Sequence, residues 1–343
     1  MASNAATRSE ATFHDTFRAI HSIAKKLLQR CAGGTRTPLA KLLLHTLENQ
    51  GSSEYPFVLT FAFCRRFQDA QRVKRMAAAV HLLQTSTLVT DDIFDHADRR
   101  YHRQTICRKY GASHAVLAAE IMQSVALECI AEELQRPGFS NQGLVSALLQ
   151  RVVKELYVGQ YLDVHYTGNV GITVPDYYRV IALGAGNFLA HLAQCGGLLA
   201  DKPDAEVKHL RKFGYHYGMA LFITDDMLDL MHPPGKTGKN FATDLRQRRI
   251  RLPMLLALEL GSRAARRRLR RFLTGAEPSA EDIRHAAALI RETGSLEACR
   301  GIASRHLTKS RKALSGVKSR MTRENLGWLV DSLLRAQGLE DAS

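Results

Sequence analysis

Two short acidic clusters stand out among the residues able to do chemistry. The first is Asp91, Asp92 and Asp95 in LVTDDIFDHADRRYHRQT, residues 88–105. The second is Asp225, Asp226 and Asp229 in FITDDMLDL, residues 222–230. In each, the outer two carboxylates are four residues apart, which on an α-helix stacks them one turn apart on one face. The middle aspartate lies about 100° round the helix, near enough to share a bound ion. Like charges this close repel, and burying them is costly unless cations compensate. Leu82, Leu83, Leu88 and Val89 precede the first cluster and apolar residues flank the second, so both read as core-facing. Oxygen-only donors suit a hard divalent ion such as Mg²⁺. One such cluster arises readily as an acidic helix cap. Two of identical spacing on two apolar helices point to a joint task, holding several Mg²⁺ ions around a diphosphate across a helical bundle. Arg99, Arg100 and Arg103 follow the first cluster, and Lys236 and Lys239 the second, placed to contact the diphosphate oxygens the metals leave.

The elements that must carry these clusters are helical. Residues 14–30, 41–48, 72–90, 115–134, 144–164, 208–230 and 252–260 all show apolar residues at three- and four-residue spacing. No alternating stretch is long enough to predict a sheet. Pro38, Pro56, Pro137, Pro175 and the Pro233–Pro234 pair fall at helix edges. Residues 180–200 are long and apolar enough to span a membrane, but Asn187, His191, Gln194 and several glycines interrupt them, so a buried helix is expected. The first twenty residues contain no apolar core of a signal peptide. With no linker and no repeat, the sequence predicts one large all-α domain over residues 1–343.

Composition bounds the classes. At 343 residues, 45% hydrophobic and 24% charged, the chain has a globular balance and is not disordered. Forty-eight Lys and Arg against 33 Asp and Glu give a net charge of +15, a field suited to a polyanionic ligand. The six cysteines form no CxxC pair, which excludes a disulfide scaffold and a thiolate zinc site and fits a reducing cytosol. The run SRAARRRLRRF, residues 262–272, reads as a solvated surface helix with Leu269 and Phe272 inward. A basic RNA- or membrane-binding protein would account for the charge but not for two matched acidic clusters.

These motifs together resemble the trans-isoprenyl diphosphate synthase (polyprenyl synthetase) family. The first cluster with Arg100 resembles that family's DDxxDxxxxRR, and GKNFATDLRQRRIRLP, residues 238–253, resembles its GKxxGxDLxxGKxTLP tail. Gly159, Gln160 and Asp163 match its GQxxD helix, and TGSLEAC, residues 293–299, is similar to its GxxEYA segment. The resemblance runs over about residues 15–335. It implies an all-α isoprenoid-synthase bundle around a central cavity, three Mg²⁺ ions, a homodimer and ionisation of an allylic prenyl diphosphate. It assigns the two aspartate triads, Asp163 and Asp244 to metal, and Arg100, Gln160, Lys239 and Arg249 to the substrate.

The chain departs from the family where isopentenyl diphosphate should bind. GSSEYP stands in place of GGKRxRP, so Ser52, Ser53 and Tyr55 replace a lysine and two arginines. Gln84 replaces a histidine and Tyr101 the second of two tandem arginines. Each charge-assisted contact to phosphate contributes roughly 1.5–3 kcal/mol, so their joint loss should abolish ordinary isopentenyl diphosphate binding. Gly184 and Ala185 replace a Lys-Thr pair, and Phe222 replaces a glutamine. An aromatic face there either stabilises a carbocation or simply packs in the core.

Four outcomes follow. The ionised substrate cyclises or meets water, as in a terpene synthase; or it alkylates a neutral aromatic such as an indole; or the isopentenyl diphosphate site is rebuilt from Arg65, Arg66 or Arg103; or the chain is a degenerate regulatory subunit, against which the two complete triads argue. Ser86 and Ala79, seven apart on one helix face, leave room for a C15 or C20 prenyl tail unless Met122 or Leu127 closes it. A cytosolic enzyme without nucleic acid or a transmembrane segment is expected.

Overall fold

The computed structural model describes residues 2–48, 60, 71–100, 103–231 and 242–336, with side chains from Phe13 onward in the first helix. In chain order these form α1 (Ala2–Cys31), α2 (Pro38–Leu47), α3 (Gln71–Phe94), β1 (Arg99–Arg100), β2 (Arg103–Gln104), α4 (Ile106–Tyr110), α5 (Ala112–Gln135) and α6 (Gln142–His165). There follow α7 (Val174–Ile181), a π-helical turn (Ala182–Gly186), α8 (Asn187–Leu199), α9 (Asp204–Met231), α10 (Thr243–Arg246) and α11 (Leu252–Leu260). The described chain closes with α12 (Arg263–Thr274), α13 (Ala280–Glu292), α14 (Ser295–Ala313) and α15 (Arg320–Ala336). The all-α class is as expected. The exception is the two-residue antiparallel ladder β1–β2, which pairs Arg99 with Gln104 and Arg100 with Arg103.

Local chemistry sets the helix starts. Thr37 caps α2, its hydroxyl accepting the Ala40 N–H at 3.0 Å, with Pro38 at the first helical position. Thr173 and Asp176 form a reciprocal capping box on α7, and Ser279 and Asp282 do the same on α13.

The chain divides into two compact units. The first comprises Met1–Val153, Leu189–Lys212 and Ala313–Leu329. Its α3 packs against α5 and α1, and is buried on every side from Met76 to Ser86, as befits a helix apolar all round. Alanines at 77, 78 and 79 of α3 and at 115, 118, 119 and 126 of α5 bring the helices close. Among the described residues α5 is the one helix long and apolar enough to cross a membrane, and its Ala115, Ala118, Met122 and Ala126 are buried in this core.

The second unit comprises Lys154–Phe188, Phe213–Lys312 and Val330–Ser343. Its core joins Tyr177 and Ile181 of α7 to Ile223 and Met227 of α9, with Leu252 and Leu269 further along the chain. The basic run is α12, with Leu269 and Leu273 buried and its arginines on the exposed face.

Residues 180–199 form the expected buried helical run, refined by a π-helical turn at Ala182–Gly186 between α7 and α8. Within the second unit, α9 lies directly on that turn, where a Cβ at Gly218 would come within 2.5 Å of the Ala185 carbonyl oxygen. The first acidic cluster is not wholly helical. His96 takes a left-handed conformation (φ 46°) and donates to Ile93 O at 3.2 Å, while the Ala97 N–H reaches Asp92 O at 3.0 Å. This is a Schellman ending, so Asp95 is the C-cap of α3.

Candidate active site

In the first unit Asp91 and Asp95 are half-buried at the end of α3, and Asp92 is buried. The Arg100 Nε donates to Asp92 Oδ1 at 2.8 Å. The hairpin makes this contact. Thr105 donates its N–H to Asp98 O (3.0 Å) and its hydroxyl to Ala97 O (2.7 Å), folding β1 back beside the helix end that it follows. Ser86, Ala79 and Met122 are all buried, and the Ser86 hydroxyl donates to Leu83 O at 2.7 Å. Gln84 is buried, and Arg99 and Arg103 are exposed.

In the second unit the acidic residues meet partners from several elements. Asp225 is exposed on α9, Asp226 is buried and Asp229 is half-buried. Tyr177, itself buried on α7, donates its hydroxyl to Asp226 Oδ2 at 2.6 Å. Asp229 accepts the N–H groups of Thr243 (3.1 Å) and Asp244 (3.2 Å), so it stitches the start of α10 to α9. Ala242, just before α10, is held buried in the left-handed region at φ 51°.

Arg251 sits among three carboxylates. Both of its terminal nitrogens hold Asp163, with Nη2 3.2 Å from Oδ2. Its Nε lies 3.2 Å from Asp244 Oδ1 and 3.8 Å from Asp226 Oδ1. Buried Arg249 adds a second guanidinium, 3.1 Å from Asp163 Oδ2. Burial alone would raise the Asp163 carboxyl, but Arg251 and Arg249 outweigh it and hold it below the usual carboxylate range. Asp226 goes the other way. Burial, with the charges of Asp244 and Asp225 adding to it, pushes it well above that range despite Arg251. Burial and the charge of Asp226 likewise raise the Tyr177 phenol, which stays a donor.

Around the π-helical turn three of the family positions are neighbours. Gly159 of GQxxD allows α6 to lie on the turn, since a Cβ there would stand 3.1 Å from the Gly184 nitrogen and from Leu183 Cβ. A Cβ at Gly184 would meet Phe222 Cε1 at 4.0 Å. The two departures, lysine to glycine and glutamine to phenylalanine, are therefore neighbours, with the Phe222 ring beside the position a lysine would otherwise take.

Hard oxygen donors at Asp91, Asp92, Asp95 and Asp225 fit Mg²⁺ by type. Among the described residues no three His, Cys, Asp or Glu side chains converge as a ready metal cage. Asp163 and Asp244, expected as metal ligands, both pair with Arg251. Gln160 lies half-buried on α6, one helical turn before Asp163. Lys236, Gly238 and Lys239, together with Ser52, Ser53, Tyr55, Arg65, Arg66 and Tyr101, lie outside the described residues. Tyr177 and Arg251 escaped the sequence reading. Arg251 had a signal, because it stands at the threonine of the family's TLP ending; Tyr177 had none.

A helical fold with two DDxxD helices and a GQxxD helix is that of the isoprenoid synthases, and solved structures bear this out. Polyprenyl synthase of Caulobacter crescentus, crystallised with calcium and isoprenyl diphosphate, superposes with a TM-score of 0.85 over 96% of this chain and 97% of its own, at 22% identity. Decaprenyl diphosphate synthase of Rhodobacter capsulatus gives 0.83 over 98% and 100%, also at 22%. Residues 37–290 match the polyprenyl synthetase family, and the chain belongs to it. Component 2 of heptaprenyl diphosphate synthase from Geobacillus stearothermophilus is 29% identical over 293 residues, 84% of this chain and 87% of the relative. Geranylgeranyl diphosphate synthase of Sulfolobus acidocaldarius is 24% identical over 310 residues, 90% and 93%.

Proposed function

We propose that this enzyme uses Mg²⁺, held by Asp91, Asp92 and Asp95 and by Asp225, Asp226 and Asp229, to ionise an allylic prenyl diphosphate of C15 or C20 length. Mg²⁺ supplies the Lewis acidity that stabilises the leaving diphosphate. Arg100, Gln160, Lys239 and Arg249 hold the substrate's diphosphate end. The cation is then consumed without isopentenyl diphosphate, by the substrate's own double bonds or by water, as a terpene synthase does.

The contact between Phe222 and Gly184 carries this reading. A cationic side chain at 184 would bind diphosphate and repel a carbocation; its replacement by hydrogen beside an aromatic ring offers a cation a π face instead. The same ring supports a second reading, in which a neutral aromatic acceptor such as an indole stacks there and is prenylated. The names of the relatives weigh toward ordinary elongation of a prenyl diphosphate, with isopentenyl diphosphate bound at a rebuilt site.

One experiment separates the three. Purified protein with Mg²⁺ is incubated with C10, C15 and C20 allylic diphosphates, alone, with isopentenyl diphosphate and with indole, and products are read by mass spectrometry. The expected result is a hydrocarbon or alcohol from the C15 or C20 substrate alone. Efficient elongation would overturn the reading.

A further inference from the structure

The second acidic cluster contains its own fixed positive charge. Asp163, Asp226 and Asp244 converge on Arg251 from α6, α9 and α10, and all three are within 4 Å of its guanidinium nitrogens. Arg249 also reaches Asp163, at 3.1 Å. Arg251 thus supplies a fixed positive charge among these carboxylates. The neutral threonine of the family's TLP ending would leave position 251 without that charge, which a divalent ion could then bring.

The guanidinium is also placed where such an ion would need to be. Its planar fork engages Asp163 with both terminal nitrogens while Nε faces Asp244 and Asp226, so the oxygens that point inward point at nitrogen. Tyr177 takes the other oxygen of Asp226 at 2.6 Å. Arginine stays charged at any working pH, unlike a metal site that can be emptied by a chelator.

We propose that Arg251 is a built-in cation of the second cluster, which holds Asp163 and Asp244 in place of a divalent ion and so lowers by one the number of ions this cluster binds. Asp225, Asp226 and Asp229 of α9 are then the carboxylates that serve divalent metal on that helix. Asp163 and Asp244 become positioning residues that fix the arginine rather than metal ligands.

The inference rests on the reading that the acidic clusters bind divalent ions, and the test keeps the two apart. Mn²⁺ bound per chain is counted by electron paramagnetic resonance in the presence of inorganic diphosphate. Asp91→Asn should bind fewer ions than wild type; an unchanged count would overturn the metal-binding reading itself. Asp244→Asn should bind as many ions as wild type, and loss of an ion would overturn the role of Arg251. Arg251→Thr should gain one ion, which the Asp244→Asn/Arg251→Thr double variant loses again. Arg251→Lys, keeping a cation, should match wild type. A folded Arg251→Thr that gains no ion would overturn the proposal. Should that variant fail to fold, the Asp244→Asn count decides alone.

Discussion

The two acidic clusters share a spacing and differ in company. Asp92 of the first is met by Arg100, eight residues on, through a hairpin that turns straight back on its helix. Asp226 of the second is met by Tyr177 and Arg251, from elements 49 and 25 residues away in sequence (226 − 177 and 251 − 226). The same three aspartates therefore sit in a locally made site in one unit and in a network drawn from several elements in the other. Spacing tells which carboxylates share a helix face. The charges around them are set by tertiary packing.

The broadest way to test the comparison is to remove one outer aspartate from each cluster. Asp91→Ala and Asp225→Ala should each lower Mg²⁺-dependent diphosphate release about a thousandfold, equivalent to about 4 kcal/mol of lost transition-state stabilisation. Near-wild-type turnover in either variant would detach that cluster from the chemistry. Release is followed with allylic diphosphate and a diphosphate-coupled assay.

Stability should separate the clusters more sharply than activity does. Asp163→Asn leaves Arg251 and Arg249 facing a neutral amide inside the second unit. Breaking such a buried pair costs about 3–5 kcal/mol, because the remaining charges stay desolvated. Asp92→Asn weakens one charge-assisted hydrogen bond, from Arg100, and should cost about 1.5–3 kcal/mol. Urea unfolding monitored by circular dichroism measures both. Equal losses would mean that the two environments are energetically alike.

The pH dependence of stability has two limbs. Burial, helped by the neighbouring His21, lowers buried His81 from 6.5 to about 3, so it stays neutral in the folded protein. The unfolded chain takes up that proton first, so stability falls as pH drops below 6.5, by about 1.4 kcal/mol per pH unit until the folded value is reached. Burial, with the charge of His216 adding to it, likewise lowers the more exposed His306 to about 4, and solvent screening makes its share smaller. Asp226 works in the opposite sense. Its pKa is raised on folding, so its contribution is present at low pH and is lost as pH rises through the raised value. His81→Gln should flatten the acid limb in part, and Asp226→Asn the alkaline limb. An unchanged alkaline limb in Asp226→Asn would show that this carboxyl is not the strained one.

What the sequence disclosed follows the same division. Helices α1, α2, α3, α5, α6, α9 and α11 were legible because each buries leucine, isoleucine or valine at helical spacing. Helices α13 and α14 were passed over because their buried faces lean on small residues, Ala286 and Ala287 in one and Cys299 and Ala303 in the other. Helix α15 was missed although Leu326, Leu329, Val330 and Leu333 have the spacing of a buried face. The π-helical turn at residues 182–186 was hidden, since nothing local distinguishes it from a glycine-bearing helix; Gly218 of α9 packs directly on it. In the site, the aspartates were visible from their spacing. Their partners were not, because a hydrogen bond such as Tyr177 to Asp226 leaves no mark at either position.

The smallest expected effect tests the neighbourhood of Phe222. Gly184 has no positive φ, and among the described residues a Cβ there would meet Phe222 Cε1 at an ordinary contact distance of 4.0 Å. Alanine at this position therefore introduces no clash and reduces the freedom of the unfolded chain, a gain of about 0.4–1 kcal/mol. Gly184→Ala should raise the melting temperature by about 1–2 °C and leave diphosphate release unchanged. Gly218→Ala is the control from the facing helix, since its Cβ would stand 2.5 Å from the Ala185 carbonyl oxygen and must push backbone aside. It should lower the melting temperature. If Gly184→Ala were destabilising too, the turn would be packed more tightly against Phe222 than 4.0 Å allows, and the space beside that ring, on which the reading of an apolar cation pocket depends, would not exist.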